Sequence, residues 1–290
     1  MALSGPVRGA FWMIGAAMSL VAMAVLVRVL TPKYSVFELI FLRNVINLAL
    51  MLPWIMRAGL GSLKTPRLVG HGLRNAFLYS GNVAWFFGVT MVSLADLAAL
   101  QFTMPLFTIV MARLALREKI GVHRWAATAA GFAGALIIIR PGVVAFDLGA
   151  IVVLAAAFLY SCAYIVTKQL SSTESGNVVV FYMSVFILAF SFVPAMVVWQ
   201  TPDWADAPAL IALGIVGYST HFCVTHAMAA ADASYVAPYD FLRLPISAIL
   251  GYTLFQEVAD PWVWAGAAVI FWAAYYNTWM EIRAGGRPMR

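Results

Sequence analysis

Long apolar stretches alternate with short polar connections along the whole chain. A helix needs about 20 apolar residues to span the hydrocarbon core of a membrane, and stretches close to that length recur ten times. They lie approximately at residues 10–30, 37–56, 69–92, 97–116, 123–139, 148–167, 178–199, 209–230, 233–255 and 262–280. Proline, glycine and charged residues are concentrated between them. The pattern predicts an all-α integral membrane protein with ten transmembrane helices.

The composition agrees with this fold class and excludes several others. The 290 residues are 63% hydrophobic and 10% charged, with a mean hydropathy of +0.90, whereas soluble domains are about 45–50% apolar and about 25% charged. A soluble protein, a disordered chain and a disulfide-stapled secreted module are therefore excluded. The net charge of +6 comes from cations scattered through the loops, which indicates membrane topology and not nucleic-acid binding.

The distribution of cations predicts the orientation in the membrane. If the N terminus is cytoplasmic, the inside segments contain eleven Lys or Arg residues and the outside segments contain three, namely Arg28, Lys33 and Arg140. Cytoplasmic loops of membrane proteins carry an excess of these residues. We therefore predict that both the N and the C terminus are cytoplasmic.

The two halves of the chain are related to each other in sequence. A shift of 136 positions, followed by a small insertion, pairs Gly81 with Gly217, Ala95-Asp96 with Ala231-Asp232, Pro105 with Pro245 and Glu118 with Glu257. Because each half has an odd number of spans, the halves must have opposite orientations, which is the inverted repeat of secondary transporters. We predict a single transporter domain over residues 1–290, with a first five-helix repeat at 8–142 and an inverted second repeat at 147–283.

The same stretches resemble the drug/metabolite transporter superfamily, in its ten-helix EamA-type branch. The similar motifs cover nearly the whole chain, at residues 93–100, 104–107, 116–120, 131–134, 139–142, 231–234, 236–241 and 251–257. The resemblance implies secondary transport of small metabolites through a central cavity between the halves, in the plasma membrane, which is the inner membrane of a bacterium. Amino-acid exporters are the most similar functional group that we identify, although members of the branch also carry nucleotide-like compounds and cationic drugs.

Polar residues at the depth of the membrane are the candidates for substrate binding, because each must face protein or water. Asn75, Tyr79 and Asn82 lie on one face of the third span. Tyr218 and His221 lie on the matching face of the eighth. The predicted substrate-binding residues are Asn75, Tyr79, Asn82, Trp85, Gln101, Tyr160, Tyr164, Tyr218, His221, Tyr239, Asp240 and Arg243. The alternative is that these side chains only join helices, each contributing about 0.6–2 kcal/mol.

Charges and prolines within the spans suggest further roles. Asp240 and Arg243 are three residues apart, and we consider a structural ion pair, a clamp for a zwitterion and a proton-coupling site. Arg43 is expected to pair with backbone carbonyls or with a carboxylate. Prolines interrupt corresponding helices of the two halves, a pattern typical of transporter binding sites and gates. The predicted coupling or gating residues are Arg43, Pro105, Pro238 and Pro245.

The leading functional hypothesis is a secondary transporter that exports aromatic or neutral amino acids and related metabolites by alternating access. One alternative is an uptake carrier for a nucleotide-like metabolite such as S-adenosylmethionine. Less favoured alternatives are an integral-membrane enzyme and a channel or structural assembly protein. The sequence contains no phosphate-binding loop and no zinc motif, and Asp240 has no obvious acidic partner. We therefore expect no catalytic residues, no metal and no cofactor.

The expected partners are a small-molecule substrate and the lipid bilayer, without nucleic acid. Proton coupling is left open, as is the choice between a monomer and a homodimer. A stripe of small residues in the fifth span, formed by Ala127, Gly131 and Ala135, suits close helix packing. That packing is expected either within the chain or in a dimer.

Overall fold

The computed structural model describes residues 5–58, 63–117, 121–140, 147–170, 174, 176–230 and 239–283. The regular structure in these residues is helical, with a short 3-10 helix at Trp204–Asp206 and the α-helices α1 (Gly5–Leu30), α2 (Val36–Ala58), α3 (Leu68–Met91), α4 (Leu94–Gln101), α5 (Met104–Ala115), α6 (Val122–Ile139), α7 (Leu148–Leu170), α8 (Gly176–Val197), α9 (Ala207–Ala230), α10 (Arg243–Phe255) and α11 (Pro261–Arg283). Glu118, Ala231-Asp232 and Pro238 lie outside the described residues.

Six segments are long and apolar enough to cross a membrane as helices. They are Val7–Leu30, Val36–Arg57, Leu94–Ala115, Leu148–Leu170, Val178–Val197 and Trp204–Ala227, of which the third combines α4 and α5. Shorter apolar helices run over Trp125–Ile139 and Arg243–Phe255. The all-helical fold is confirmed for the described residues. The full count of ten spans and the cytoplasmic location of both termini stay predictions.

Helix α3 has the length of a span but is less apolar than its neighbours. Its polar residues His71, Arg74, Asn75 and Asn82 are all buried in the structure. Such groups lower the hydropathy of the helix, and they avoid a large desolvation cost only when they bond to other protein groups. One face of this helix, which carries the polar side chains, is therefore buried against other helices, while Val69 and Leu73 on another face are exposed.

The helices pack in a pattern that is unchanged when the two halves are exchanged. Helix α1 packs on α9 as α3 packs on α7, so the first helix of each half contacts the third helix of the other. Helices that occupy equivalent places in the two halves also pack on each other, in the pairs α2 with α8, α4 with α10 and α6 with α11. The sequence repeat therefore has a counterpart in the packing, and the middle of the molecule lies between the two halves.

Helices α6 and α11 cross where each contributes a glycine. A Cβ atom on Gly134 would lie 2.8 Å from the carbonyl oxygen of Gly266, and a Cβ on Gly266 would lie 2.5 Å from that of Gly134. Within α6, Gly131 faces Leu106 of α5, and Ala127 and Ala135 are buried. The small residues of α6 thus serve packing inside the chain.

The three cations that the sequence assigns to the outside are all ion-paired. The pairs are Arg28 with Glu257, Lys33 with Asp206 and Arg140 with Asp260. The hydrogen bond and ion pair with Asp206 raise the pKa of the Lys33 ammonium above its ordinary value. These contacts bring the C-terminal ends of α1, α6 and α10 to the same side of the bundle as the N-terminal ends of α9 and α11.

Candidate functional site

A buried arginine lies at the centre of the molecule, where α2 meets α3 and α9. The side chain of Arg43 is 6% exposed, and its guanidinium lies 5.3 Å from the centre of the Phe86 ring in a cation–π contact. Its Nη1 donates to the sulfur of Met23 at 3.5 Å, which is a weak acceptor. The methylene groups of Arg43 lie against Gly217 of α9, where a Cβ would come within 3.0 Å of the arginine Cδ.

Two predicted site residues contact each other beside this arginine. The Tyr160 hydroxyl of α7 donates to Asn82 Oδ1 of α3 at 3.0 Å. The Tyr160 ring lies against Gly81, where a Cβ would approach its carbon atoms to 2.9 Å. Arg43 is close enough to Tyr160 and to His221 for electrostatic interaction with both. The structure therefore places Asn82 of α3 and Tyr160 of α7 beside Arg43 of α2, whereas His221 of α9 is exposed to the surface.

A small central cavity lies between α1, α3, α4 and α10. Its volume is about 20 Å³, and the polar side chains in its wall are Gln101, Arg243 and Ser247, beside Trp85. The guanidinium of Arg243 lies 4.3 Å from the centre of the Phe102 ring. A cavity of this size holds about one water molecule, whereas metabolite sites usually enclose about 300–1,000 Å³. In this conformation the cavity is therefore too small to hold a metabolite.

The predicted pair of Asp240 and Arg243 forms an ion pair. Arg243 Nη2 lies 3.5 Å from Asp240 Oδ2, and the two side chains are 11% and 34% exposed. Among the described residues, the Nε atom of Arg243 and the Nε2 atom of Gln101 are buried without a hydrogen-bond partner. The contact matches the expected ion pair, while its roles in substrate binding and in proton coupling stay predictions.

A larger and open cavity lies at one end of the bundle. Its volume is about 860 Å³, and the residues around it include Arg28, Tyr34, Phe37, Phe87 and Glu257. It lies on the side where the three outside cations are paired. The Arg28–Glu257 ion pair therefore belongs to the wall of this cavity.

The Arg28–Glu257 pair lies between the open cavity and the central cavity. Glu257 Oε2 accepts a hydrogen bond from the backbone N–H of Leu94 at 2.8 Å, and Leu94 is part of the wall of the central cavity. Arg28 Nε donates to the carbonyl oxygen of Val89 at 2.9 Å, and its guanidinium lies 5.4 Å from the centre of the Phe255 ring. Helices α1, α3, α4 and α10 are thus joined at this point.

Asn75 lies on the same helix as Asn82 but contacts a different neighbour. Its Nδ2 donates to the carbonyl oxygen of His71 at 2.8 Å and to that of Tyr182 at 3.2 Å. Its Oδ1 accepts from Arg74 Nη1 at 3.0 Å. These bonds attach α3 to α8, so Asn75 is used in helix packing in this conformation.

Four predicted tyrosines also lie away from the central cluster. Tyr79 is part of the wall of a separate cavity of about 520 Å³, bounded by α2, α3, α7 and α8. Tyr164 is 55% exposed. The ring centre of Tyr218 lies 6.0 Å from that of Phe222, and Tyr239 packs against the small cluster formed by α1 and α9. Their roles in binding stay predictions.

The proline positions match interruptions of two helices. Pro105 lies in the first turn of α5, directly after α4 ends at Gln101. Pro245 lies in the first turn of α10, after the turn at residues 241–242. The carbonyl oxygen of Met104 accepts a hydrogen bond from Ser161 at 2.8 Å. Both interruptions border the central cavity, and a gating role for these prolines stays a prediction.

The structure adds residues that the sequence did not single out. Phe86 and Phe102 place their rings under Arg43 and Arg243, and Ser247 joins the wall of the central cavity. Ser247 lies four residues after Arg243 and therefore on the same helical face. This spacing could have identified Ser247 as a site residue from the sequence. The two phenylalanines carried no signal that distinguishes them from other apolar residues.

Comparisons with known proteins agree with this architecture. Residues 7–140 and 147–279 each match the EamA-like transporter family. A solved crystal structure, 18% identical, superposes with a TM-score of 0.65 over 96% of this chain and 98% of that chain, which indicates the same fold.

Three curated relatives cover most of the chain. A riboflavin transporter of Vibrio cholerae is 30% identical, with 97% of this chain and 96% of the relative covered. An S-adenosylmethionine uptake transporter of Rickettsia felis is 30% identical, with 99% and 97% covered. A pseudopaline exporter of Pseudomonas aeruginosa is 26% identical, with 86% and 88% covered. From the match of both halves, the chain belongs to the EamA-like transporter family.

Proposed function

We propose that the protein is a secondary transporter that carries a small metabolite with a planar ring across the plasma membrane of a bacterium. The central cluster between the two halves is the observation that carries this proposal. It combines the aromatic rings of Trp85, Phe86 and Tyr160 with the polar groups of Asn82 and Arg43. Aromatic walls with a few placed polar groups suit ring-containing ligands.

The relatives support this substrate class and favour uptake as the direction. Riboflavin and S-adenosylmethionine both contain a fused heteroaromatic ring, and the Rickettsia relative is named as an uptake transporter. We therefore place a ring-containing metabolite first as the substrate of this chain. In this proposal Asn82, Trp85, Gln101, Tyr160 and Arg243 form the binding site.

The cavities support transport by alternating access. In the present conformation the centre has room for about one water molecule, while an open cavity of about 860 Å³ lies beyond the Arg28–Glu257 pair. Separation of this pair would join the two cavities and admit the substrate. The interrupted helices α4–α5 and α10 are the elements that would move, because each ends or begins at the centre.

Export of amino acids is the second candidate. The Asp240–Arg243 pair offers a carboxylate and a guanidinium 3.5 Å apart, which could bind the ammonium and carboxylate groups of a zwitterion. The relative in Pseudomonas aeruginosa is named as an exporter. This candidate differs from the first in both substrate and direction, so one assay can separate them.

The test uses the purified full-length chain in liposomes. We expect labelled riboflavin or S-adenosylmethionine to enter the liposomes. Tyr160→Phe is expected to reduce this transport, because the hydroxyl that bonds to Asn82 is lost. The matched control is Tyr252→Phe, which removes a hydroxyl from a residue that is 59% exposed and should transport normally. Efflux of preloaded leucine, a neutral amino acid without a ring, in the absence of transport of either ring compound would replace the first candidate with the second.

Proton coupling can be tested in the same liposomes. An imposed pH gradient should drive accumulation of the substrate if Asp240 or His221 carries a proton during transport. Asp240→Asn would then abolish the gradient effect while leaving exchange of labelled for unlabelled substrate. Equal accumulation with and without the gradient would exclude proton coupling.

A further inference from the structure

Arg43 is a buried cation that lacks an acidic partner among the described residues. Its hydrogen bond goes to the sulfur of Met23, and its Nε has no partner. Glu38, the acidic residue nearest along α2, instead accepts from the backbone N–H of Gln200 at 3.4 Å. The sequence had led us to expect a carboxylate or backbone carbonyls beside Arg43, and the structure has neither within hydrogen-bonding distance.

The other internal arginines of the described structure do have polar partners. Arg28 pairs with Glu257, and Arg243 pairs with Asp240. Arg74 donates to Thr167 Oγ1 at 2.7 Å. Arg43 therefore differs from them although it is more deeply buried than Arg28 or Arg243.

A buried guanidinium without a counter-charge is costly, because it stays protonated at every physiological pH. Such a charge is compensated when a ligand supplies the missing anion. The planar guanidinium matches carboxylate and phosphate groups, to which it can donate two parallel hydrogen bonds. Such an anion would accept a hydrogen bond from the Nε of Arg43, which has no partner among the described residues.

The surroundings of Arg43 suit an anion attached to an aromatic body. Phe86 lies under the guanidinium at 5.3 Å and restricts its orientation. Tyr160 and His221 are the titratable groups within electrostatic reach, and neither adds a negative charge at neutral pH. Gly217 leaves space for the arginine chain between α2 and α9. The region around Arg43 is therefore electropositive, and ring faces border it.

We infer that Arg43 is the receptor for a carboxylate or phosphate group of the substrate. The inference rests on the proposed function and narrows it, since S-adenosylmethionine and amino acids carry a carboxylate whereas riboflavin carries no anionic group. Phosphorylated flavins would satisfy the same requirement. The substrate is therefore an anion-bearing member of the ring-containing metabolites.

The test measures the apparent unfolding temperature of the purified full-length chain with benzoate, phenyl phosphate or uncharged benzamide. We expect benzoate or phenyl phosphate to raise this temperature and benzamide to have no effect. The anion that gives the larger increase shows whether Arg43 prefers a carboxylate or a phosphate. Arg43→Gln should abolish the shift, and Arg43→Lys should keep part of it because the charge remains. The control is Arg113→Gln, which removes an exposed guanidinium of α5 and should retain the shift.

The ligand-free variant provides a second readout. Because Arg43→Gln removes a charge without a counter-charge, its unfolding temperature without ligand should equal or exceed that of the parent protein. A marked decrease, or failure to fold, would make Arg43 a structural residue and overturn the inference. So would an absence of any shift with the two anions in the parent protein, or an equal shift in Arg43→Gln.

Failure of the inference is distinguishable from failure of the proposed function. S-adenosylmethionine transport that is unaffected by Arg43→Gln would overturn the role of Arg43 and leave the transporter proposal in place. Stabilisation by benzoate or phenyl phosphate without transport of any ring compound would support the role of Arg43 and overturn the transporter proposal.

Discussion

A glycine allows the central tyrosine to lie directly against α3. The ring of Tyr160 lies where a side chain at position 81 would be, and this position lets its hydroxyl reach Asn82. On the opposite side of the centre, Gly217 provides the same space for Arg43. The two glycines are partners in the sequence repeat, so each half contributes one close approach of a backbone to a central polar side chain.

Gly81→Ala is expected to impair transport with little loss of expression. Its Cβ would lie 2.9 Å from the Tyr160 ring, so the ring must move away from Asn82. Loss of one neutral hydrogen bond costs about 1 kcal/mol, which is about a fivefold decrease in uptake by liposomes at low substrate concentration. Gly72→Ala on the same helix is the control, since its Cβ would lie at 3.6 Å from Phe186, an ordinary contact. Equal effects of the two changes would contradict the prediction.

Helices α6 and α11 make a close backbone crossing between the two halves. They are the fifth helix of each half, and they meet through Gly134 and Gly266. Lipid is as apolar as the side chains, so helix association in a membrane depends on close packing and not on the hydrophobic effect. Small residues at the crossing therefore determine how tightly the halves join.

Gly134→Ala is expected to lower the stability of the protein. The added methyl group would lie 2.8 Å from the Gly266 carbonyl oxygen, and a backbone atom cannot move as easily as a side-chain end. Overpacking of this kind typically costs about 1–3 kcal/mol, measured as a lower apparent unfolding temperature in detergent. The neighbouring exposed Ala133 offers the control Ala133→Val, which adds bulk on the outer surface. A similar decrease in both variants would argue against the crossing as the cause.

At the scale of the whole molecule, one ion pair lies between the open cavity and the centre. Arg28 and Glu257 join four helices from both halves. The Arg140–Asp260 pair lies at the same end of the bundle but is not part of the wall of the open cavity. Disrupting each pair in turn therefore distinguishes an effect on closure of the path from an effect on the stability of this end of the bundle.

Glu257→Gln is expected to open the path to the centre. Hydrogen bonds to charged groups contribute about 1.5–3 kcal/mol, so the open population should rise by about 10- to 150-fold. The measurement is the rate at which a membrane-impermeant thiol reagent labels Ser247→Cys, in a chain whose native cysteines, Cys162 and Cys223, are replaced by alanine. Asp260→Asn is the matched control and should leave the labelling rate unchanged. Faster labelling in Asp260→Asn, or none in Glu257→Gln, would mean that the Arg28–Glu257 pair does not close the path.

The elements of the fold could be predicted from the chain alone. Helix positions follow from local hydrophobicity and from where proline and glycine occur, and both are properties of consecutive residues. For this reason the interruption between α4 and α5 was visible in advance at Pro105. The repeat could be detected in the same way, because equivalent residues recur in the same order.

The arrangement of the site depended on how the helices rotate and pack in three dimensions. Asn75 and Asn82 share a face of α3, yet one bonds to α8 and the other to Tyr160 of α7, because the neighbouring helix changes along the axis. The sequence placed Arg28 among the loop cations that orient the chain, and packing against α10 made it part of an ion pair. Hydrophobic pattern specifies which face of a helix is buried, but the partner of each buried polar group is specified by the packing of distant segments.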